Sequence, residues 1–186
     1  MDTTSLSLLE RLRGGGRPQD WERFVALYTP LLYRWAGQAG AQEADAADLV
    51  QEVFTRVYQK LTTFAHQRAG SFRAWMRTAL VNRWRDLCRR RAARPGLVDE
   101  QRLDALPALA SAAQENEDFE QLVALALGLI RPEFQPRTWQ AFWEFFVAGE
   151  EASAVAQRLG VSVGVVYGAK CRVLRRLREE LDGMLE

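Results

Sequence analysis

Apolar residues recur along this chain at intervals of three and four, and that period predicts helices from end to end. The segment 21–40, WERFVALYTPLLYRWAGQAG, sets Phe24, Leu27, Tyr28, Leu31, Leu32 and Trp35 on one stripe. Pro30 falls inside it, at a place where proline bends or divides a helix. The segment 43–64 repeats the arrangement with Leu49, Val53, Val57 and Leu61, and its acids gather at the start, where the helix dipole favours negative charge. In 70–96 the inward side is Phe72, Trp75, Met76, Ala79, Leu80, Trp84 and Leu87, with Ser71 as a cap and Pro95-Gly96 as a stop. Two more stripes span 118–130 and 134–149, followed by the short patterns EASAVAQRLG and SVGVVYGAKCRVLRRLREEL. No polar–apolar alternation is long enough for a strand. The predicted class is all-α.

Between 92 and 116 the stripe vanishes and prolines, alanines and small polar residues take over, which reads as a flexible linker. The chain thus divides into a domain over 1–94, a linker over 95–116 and a second small helical domain over 117–186. Charge follows the same division. The whole chain is nearly neutral, with 25 basic and 24 acidic residues, so any electropositive function must come from local segregation. Residues 70–96 hold eight arginines and one aspartate, whereas residues 99–120 hold seven acids and one arginine.

Several function classes drop out. Cys88 and Cys171 lie far apart with no CxxC or His/Cys cluster, which argues against a zinc site and a disulfide framework. His66 is the only histidine and has no ligand partner nearby, so no metal and no cofactor is expected. RGGGRP lacks the lysine of a phosphate loop, and no nucleophile–base pattern accompanies it, so the chain is not expected to be an enzyme. The N-terminus has no basic start and apolar run, and no stretch reaches the ~20 apolar residues of a membrane span. A cytoplasmic protein without membrane insertion is the expectation.

The C-terminal patterns carry the punctuation of a helix-turn-helix. Val155, Ala156 and Leu159 face inward from a short helix, Gly160 supplies a left-handed turn, Val161 plugs the corner, and Ser162 caps the next helix. That helix buries Val166, Val173 and Leu177 and shows Gly164, Tyr167, Lys170, Arg172, Arg175 and Arg176 on its other side. Turn glycine, capped helix and a basic side without acids coincide, which favours DNA binding over a plain helical hairpin. In such a motif the helix N-terminus enters the major groove. Tyr167 and Lys170 are the candidates for base edges, and Arg172, Arg175 and Arg176 for phosphates.

The third helix adds a second cationic surface. Arginines there alternate with Phe72, Trp75, Trp84 and Asn82, offering charge to phosphates and rings or an amide to unstacked bases. DAADLVQEVFTRVYQKL, FRAWMRTALVNRWRDLCRRR and VAQRLGVSVGVVYGAKCRVLRRLREEL occur in that order. Together they resemble a bacterial extracytoplasmic-function (ECF) RNA polymerase sigma factor, over roughly Trp21 to Leu181.

The resemblance implies a sigma-2-like domain, an acidic linker and a sigma-4-like helix-turn-helix domain. It implies that Asp48, Gln51 and Glu52, supported by Phe54, dock on the β′ clamp coiled coil of core RNA polymerase. It also implies that Arg73, Trp75, Asn82, Asp86, Arg89 and Arg90 read and open the minus-10 element, with Asn82 on a flipped base. His66, Gln67 and Arg68 fall in the matching specificity loop. The helix-turn-helix, from Ser162 to Arg176, would read the minus-35 element. The implied partners are core polymerase, including its β flap, promoter DNA and an anti-sigma protein. The alternative is a free-standing helix-turn-helix regulator with an N-terminal sensing or dimerising domain, which leaves DLVQEVF without a purpose.

Overall fold

A computed structural model of the chain describes residues 7–61, 71–92 and 112–182. Eight α-helices follow one another among these residues: α1 (Leu8–Arg13), α2 (Pro18–Gln38), α3 (Glu43–Lys60), α4 (Ser71–Ala92), α5 (Ala112–Ile130), α6 (Pro136–Phe142), α7 (Ala152–Leu159) and α8 (Val163–Leu181). No strand occurs among the described residues, so the all-α expectation holds. Residues 62–70 and residues 93–111, which contain most of the expected linker, lie outside the described residues.

Local chemistry sets the helix ends. Helix α1 was not predicted, because six residues are too few to show a stripe. It starts in a reciprocal capping box: the Glu10 amide donates to Ser7 Oγ at 3.2 Å, and the Ser7 amide donates to Glu10 Oε2 at 2.9 Å. Helix α2 begins with Pro18, a first-turn position where the missing N–H costs nothing. Pro30 does not divide it; the helix runs unbroken to Gln38. Residues 112–116, expected in the linker, already belong to α5. The stripe over 134–149 is not one helix either. Helix α6 ends at Phe142 and continues as a widened π turn, Trp143–Val147.

The buried side chains form two cores. The first gathers Phe24, Leu27, Tyr28, Leu31, Leu32 and Trp35 with Leu49, Val53, Val57, Phe72, Met76, Leu80 and Trp84, and includes all three leucines of α1. The second joins Ile130, Trp139 and Phe142 to Val155, Ala156, Leu159, Val166, Ala169 and Val173. Each predicted stripe therefore faces a core.

Helices α5 and α8 tie the cores together. Leu122 and Ala126 of α5 are buried in the first core and Ile130 in the second. Leu181, at the end of α8, returns to the first core. The apolar faces of α5 and α8 thus span the gap between the two cores.

Polar contacts reinforce that joint. Asp118 of α5 is 4% exposed, and its carboxylate accepts from Trp35 Nε1 at 2.8 Å, from Arg77 at 3.5 Å and from Arg34. Arg77 also lies over the Trp35 ring, 5.6 Å from its centroid. At the other end, Arg23 of α2 donates to Glu180 of α8 at 2.7 Å and to Glu133 at 2.8 Å. Glu180 is fully buried, where an unpaired carboxylate would be costly.

Candidate nucleic-acid interface

The helix-turn-helix closes through backbone bonds that the sequence prepares. Gly160 sits at φ 64° and ψ 41°, in the left-handed region. The Val161 amide donates to Ala156 O at 3.0 Å and the Gly160 amide to Gln157 O at 3.3 Å, the paired bonds of a Schellman stop. Val161 packs half-buried against the second core, as the corner plug requires. Ser162 caps α8, its Oγ accepting from the Val165 amide at 3.4 Å. Arg158 of α7 grips the turn after α6, donating to Glu144 at 2.7 Å and also pairing with Glu150.

On α8, Val166, Ala169 and Val173 point into the core. At about 3.6 residues per turn, Gly164, Gly168, Cys171 and Arg175 then point directly away. Cys171 is exposed on that face. Cys171 and Gly168 were not among the predicted site residues, although the spacing from Val166 and Val173 locates them. Gly168 leaves room for the arginine one turn later: a Cβ there would lie 3.2 Å from Arg172 Nη1.

The predicted residues divide accordingly. Arg172 is exposed, and the side chain of Arg175 is 75% exposed with a 4.0 Å contact to Glu179. Tyr167 is 52% exposed. Lys170 is not on the outermost face. It sits on the flank towards the π turn, its ammonium 4.8 Å from the Phe146 centroid. Arg176 departs furthest from expectation. It is half-buried and donates to Glu133 at 2.6 Å and contacts Glu180 at 2.8 Å, so in this arrangement it serves the joint between the cores.

Helices α3 and α4 form the second surface. Asp48 and Gln51 are exposed on α3, and Phe54 is half-buried against Phe24, ring centroids 5.9 Å apart. Glu52 does not project freely; Arg83 of α4 donates to it at 2.6 Å. Two turns earlier on α3, Arg91 donates to both oxygens of Asp45, at 2.7 and 2.5 Å. Those bonds hold the Asp45 carboxyl below its ordinary value. Asp45 and Glu52 of α3 thus meet part of the arginine run of α4.

Only part of that run faces solvent. Arg77 is buried, and Arg83 and Arg91 are paired, while Arg89, Arg90 and Asn82 are exposed. Asp86 and Arg89 approach within 3.4 Å on the same side. Phe72 is 1% exposed and Trp84 8%, its Nε1 donating to Ala39 O at 2.7 Å, so neither ring is available to a base. Trp75 is half-buried and lies flat on Phe72, centroids 6.0 Å apart at 27°. Arg73 is also half-buried. His66, Gln67 and Arg68 lie outside the described residues.

Residues 24–94, the helices that carry this second surface, match the family described as Sigma-70 region 2. The sigma factor CnrH of Cupriavidus metallidurans is 28% identical over 94% of this chain and 93% of its own length. The ECF sigma factor SigE of Mycolicibacterium smegmatis is 27% identical over 87% of this chain and 61% of its own length. The chain is thus similar over most of its length to RNA polymerase sigma factors. It is a transcription initiation factor. The solved structure of CnrH in complex with the cytosolic domain of CnrY is 22% identical over 91% of this chain and 92% of that one, with a TM-score of 0.35. No helix among the described residues of this sigma factor is long and apolar enough to cross a membrane.

Proposed function

We propose that α3 of this sigma factor docks on the β′ clamp coiled coil of core RNA polymerase through Asp48 and Gln51, and that α4 reads and opens the minus-10 element. Phe54 supports the docking helix from the first core. Glu52 contributes by locking α3 to α4 through Arg83. Asn82 takes a base flipped from the non-template strand, with Trp75 beside it and Arg89 and Arg90 on the flanking phosphates. Capturing a flipped base offsets an unstacking cost of a few kcal/mol. Helix α8 enters the major groove of the minus-35 element, with Tyr167 and Arg172 near base edges and Arg175 on the backbone. The exposed Trp143 and Val147 provide an apolar surface for the β flap. An anti-sigma protein that covers these surfaces belongs to the same reading.

The observation that carries the proposal is the pairing of Glu52 with Arg83 and Asp45 with Arg91. These bonds make one unit of the helix offered to polymerase and the helix offered to DNA, so docking on the enzyme fixes where the DNA is read.

The test is promoter binding by the chain alone and with core polymerase. Tight, sequence-selective binding is expected only with polymerase, and Asp48→Arg abolishes it. Strong selective binding by the chain alone, unaffected by Asp48→Arg, would support a free-standing regulator instead.

A further inference from the structure

The two side chains of α8 that the sequence nominates for base edges, Tyr167 and Lys170, are held by rings from outside that helix. The Tyr167 ring meets Phe145 edge-on, centroids 5.2 Å apart at 86°. The Lys170 ammonium lies 4.8 Å from the Phe146 centroid and 5.6 Å from that of Phe145. Both phenylalanines come from the π turn after α6, and Phe146 stacks on the buried Phe142 at 5.6 Å and 24°. The rings therefore have a rigid backing.

A lysine has four rotatable stem bonds and makes no fixed fork, so unaided it selects little. An ammonium seated over a ring face loses much of that freedom and keeps hydrogen-bond donors pointing away from the ring. Tyr167, with an edge fixed against Phe145, has its hydroxyl directed by the same turn. A widened turn in place of a continued α-helix brings both rings against α8, and such π turns are frequent at functional sites.

We propose that Phe145 and Phe146 are positioning residues for minus-35 recognition. They fix Tyr167 and Lys170 on the flank of α8 nearest the π turn and so set the base preference at the promoter positions on that flank. This rests on the reading that α8 enters the minus-35 element. The rings touch no DNA themselves; they act through the two residues they hold.

The test is selection from a duplex library randomised over the upstream element, using the full chain assembled with core polymerase. Phe146→Leu keeps apolar volume and removes the ring face. It is expected to lose about two- to fivefold of the wild-type base discrimination at the flank positions. Lys170→Ala loses discrimination at the same positions, the double variant loses no more than Lys170→Ala, and Phe146→Tyr retains the wild-type preference. A merely structural role would lower overall binding without moving the preference. Phe146 is 45% exposed, so these variants are expected to fold; Phe145→Leu, read through Tyr167, supplies an independent second variant. The inference is overturned if Phe146→Leu and Phe145→Leu select the wild-type bases while Lys170→Ala does not, or if the Phe146 and Lys170 effects add. If Lys170→Ala and Arg172→Ala both leave promoter selection unchanged, the minus-35 reading fails and the inference falls with it.

Discussion

Asp118 fastens α5 to the first core, and its removal should cost the fold heavily. Its carboxylate is 4% exposed and accepts from Trp35 Nε1 and from two arginines. Asp118→Ala strands a buried indole N–H and leaves the Arg77 guanidinium, whose side chain is only 9% exposed, with Gln38 Oε1 at 3.5 Å in place of a carboxylate. Removing one partner of a buried ion pair costs about 3–5 kcal/mol. Arg34, at 28% side-chain exposure, can recover water, which places the expected loss near the low end of that range, at about 3 kcal/mol. In a chain of this length each kcal/mol moves Tm by about 2–4 °C, so a fall of roughly 6–12 °C is expected. Asp118→Asn keeps an acceptor for Trp35 and should lose about half as much. Thermal melting followed by circular dichroism and by tryptophan fluorescence is the assay. A Tm for Asp118→Ala within about 2 °C of wild type would refute the claim that this carboxylate fastens α5 to the first core.

Other outcomes follow from the same contacts. Gly160→Ala meets no atom within 4 Å but forces an L side chain into φ 64°, and should cost about 1–2 kcal/mol, read as a lower Tm. Arg172→Ala should weaken promoter binding with Tm unchanged, whereas Arg176→Ala should lower Tm as well, because Glu133 and the buried Glu180 lose a partner. Acid should destabilise the chain. Burial pushes Asp20 up, but bonds from Arg11 and the Arg17 amide outweigh it; burial likewise opposes Arg176 and Arg23 at Glu133, and Arg91 lowers Asp45. All three carboxyls are net depressed, so their contribution is full above the ordinary carboxylate values and is lost as pH falls below them. Melting curves between pH 7 and 3 should show Tm falling in the lower part of that range, and a flat profile would contradict these pairings.

The apolar stripes were legible because helix period and burial are local properties: Phe24, Leu31, Val53, Met76 and Val166 all lie where a 3.6-residue repeat puts them. Gly160 and Ser162 were legible for a similar reason, since a left-handed stop and an N-cap each demand a few residue types. What escaped depends on distant partners. Nothing near Asp118 in sequence announces Trp35 or Arg34, and nothing near Arg176 announces Glu133, so charges that look like solvated surface serve the joint between cores. Phe72 and Trp84 look equally suited to stacking bases and to packing, and only the neighbours decide for packing. The π turn at Trp143–Val147 leaves the apolar spacing of a helix intact, which hides the change in backbone that brings Phe145 and Phe146 to α8.

The central claim is that this chain gives core RNA polymerase its promoter choice through two DNA contacts. Run-off transcription on a promoter library, with purified core polymerase alone and with the chain added, tests it most directly. The account predicts new start sites downstream of two enriched sequence blocks, with Asn82→Ala losing initiation on duplex templates more than on templates already opened at the minus-10 block. An active core enzyme that gains no start sites when the chain is added would contradict it.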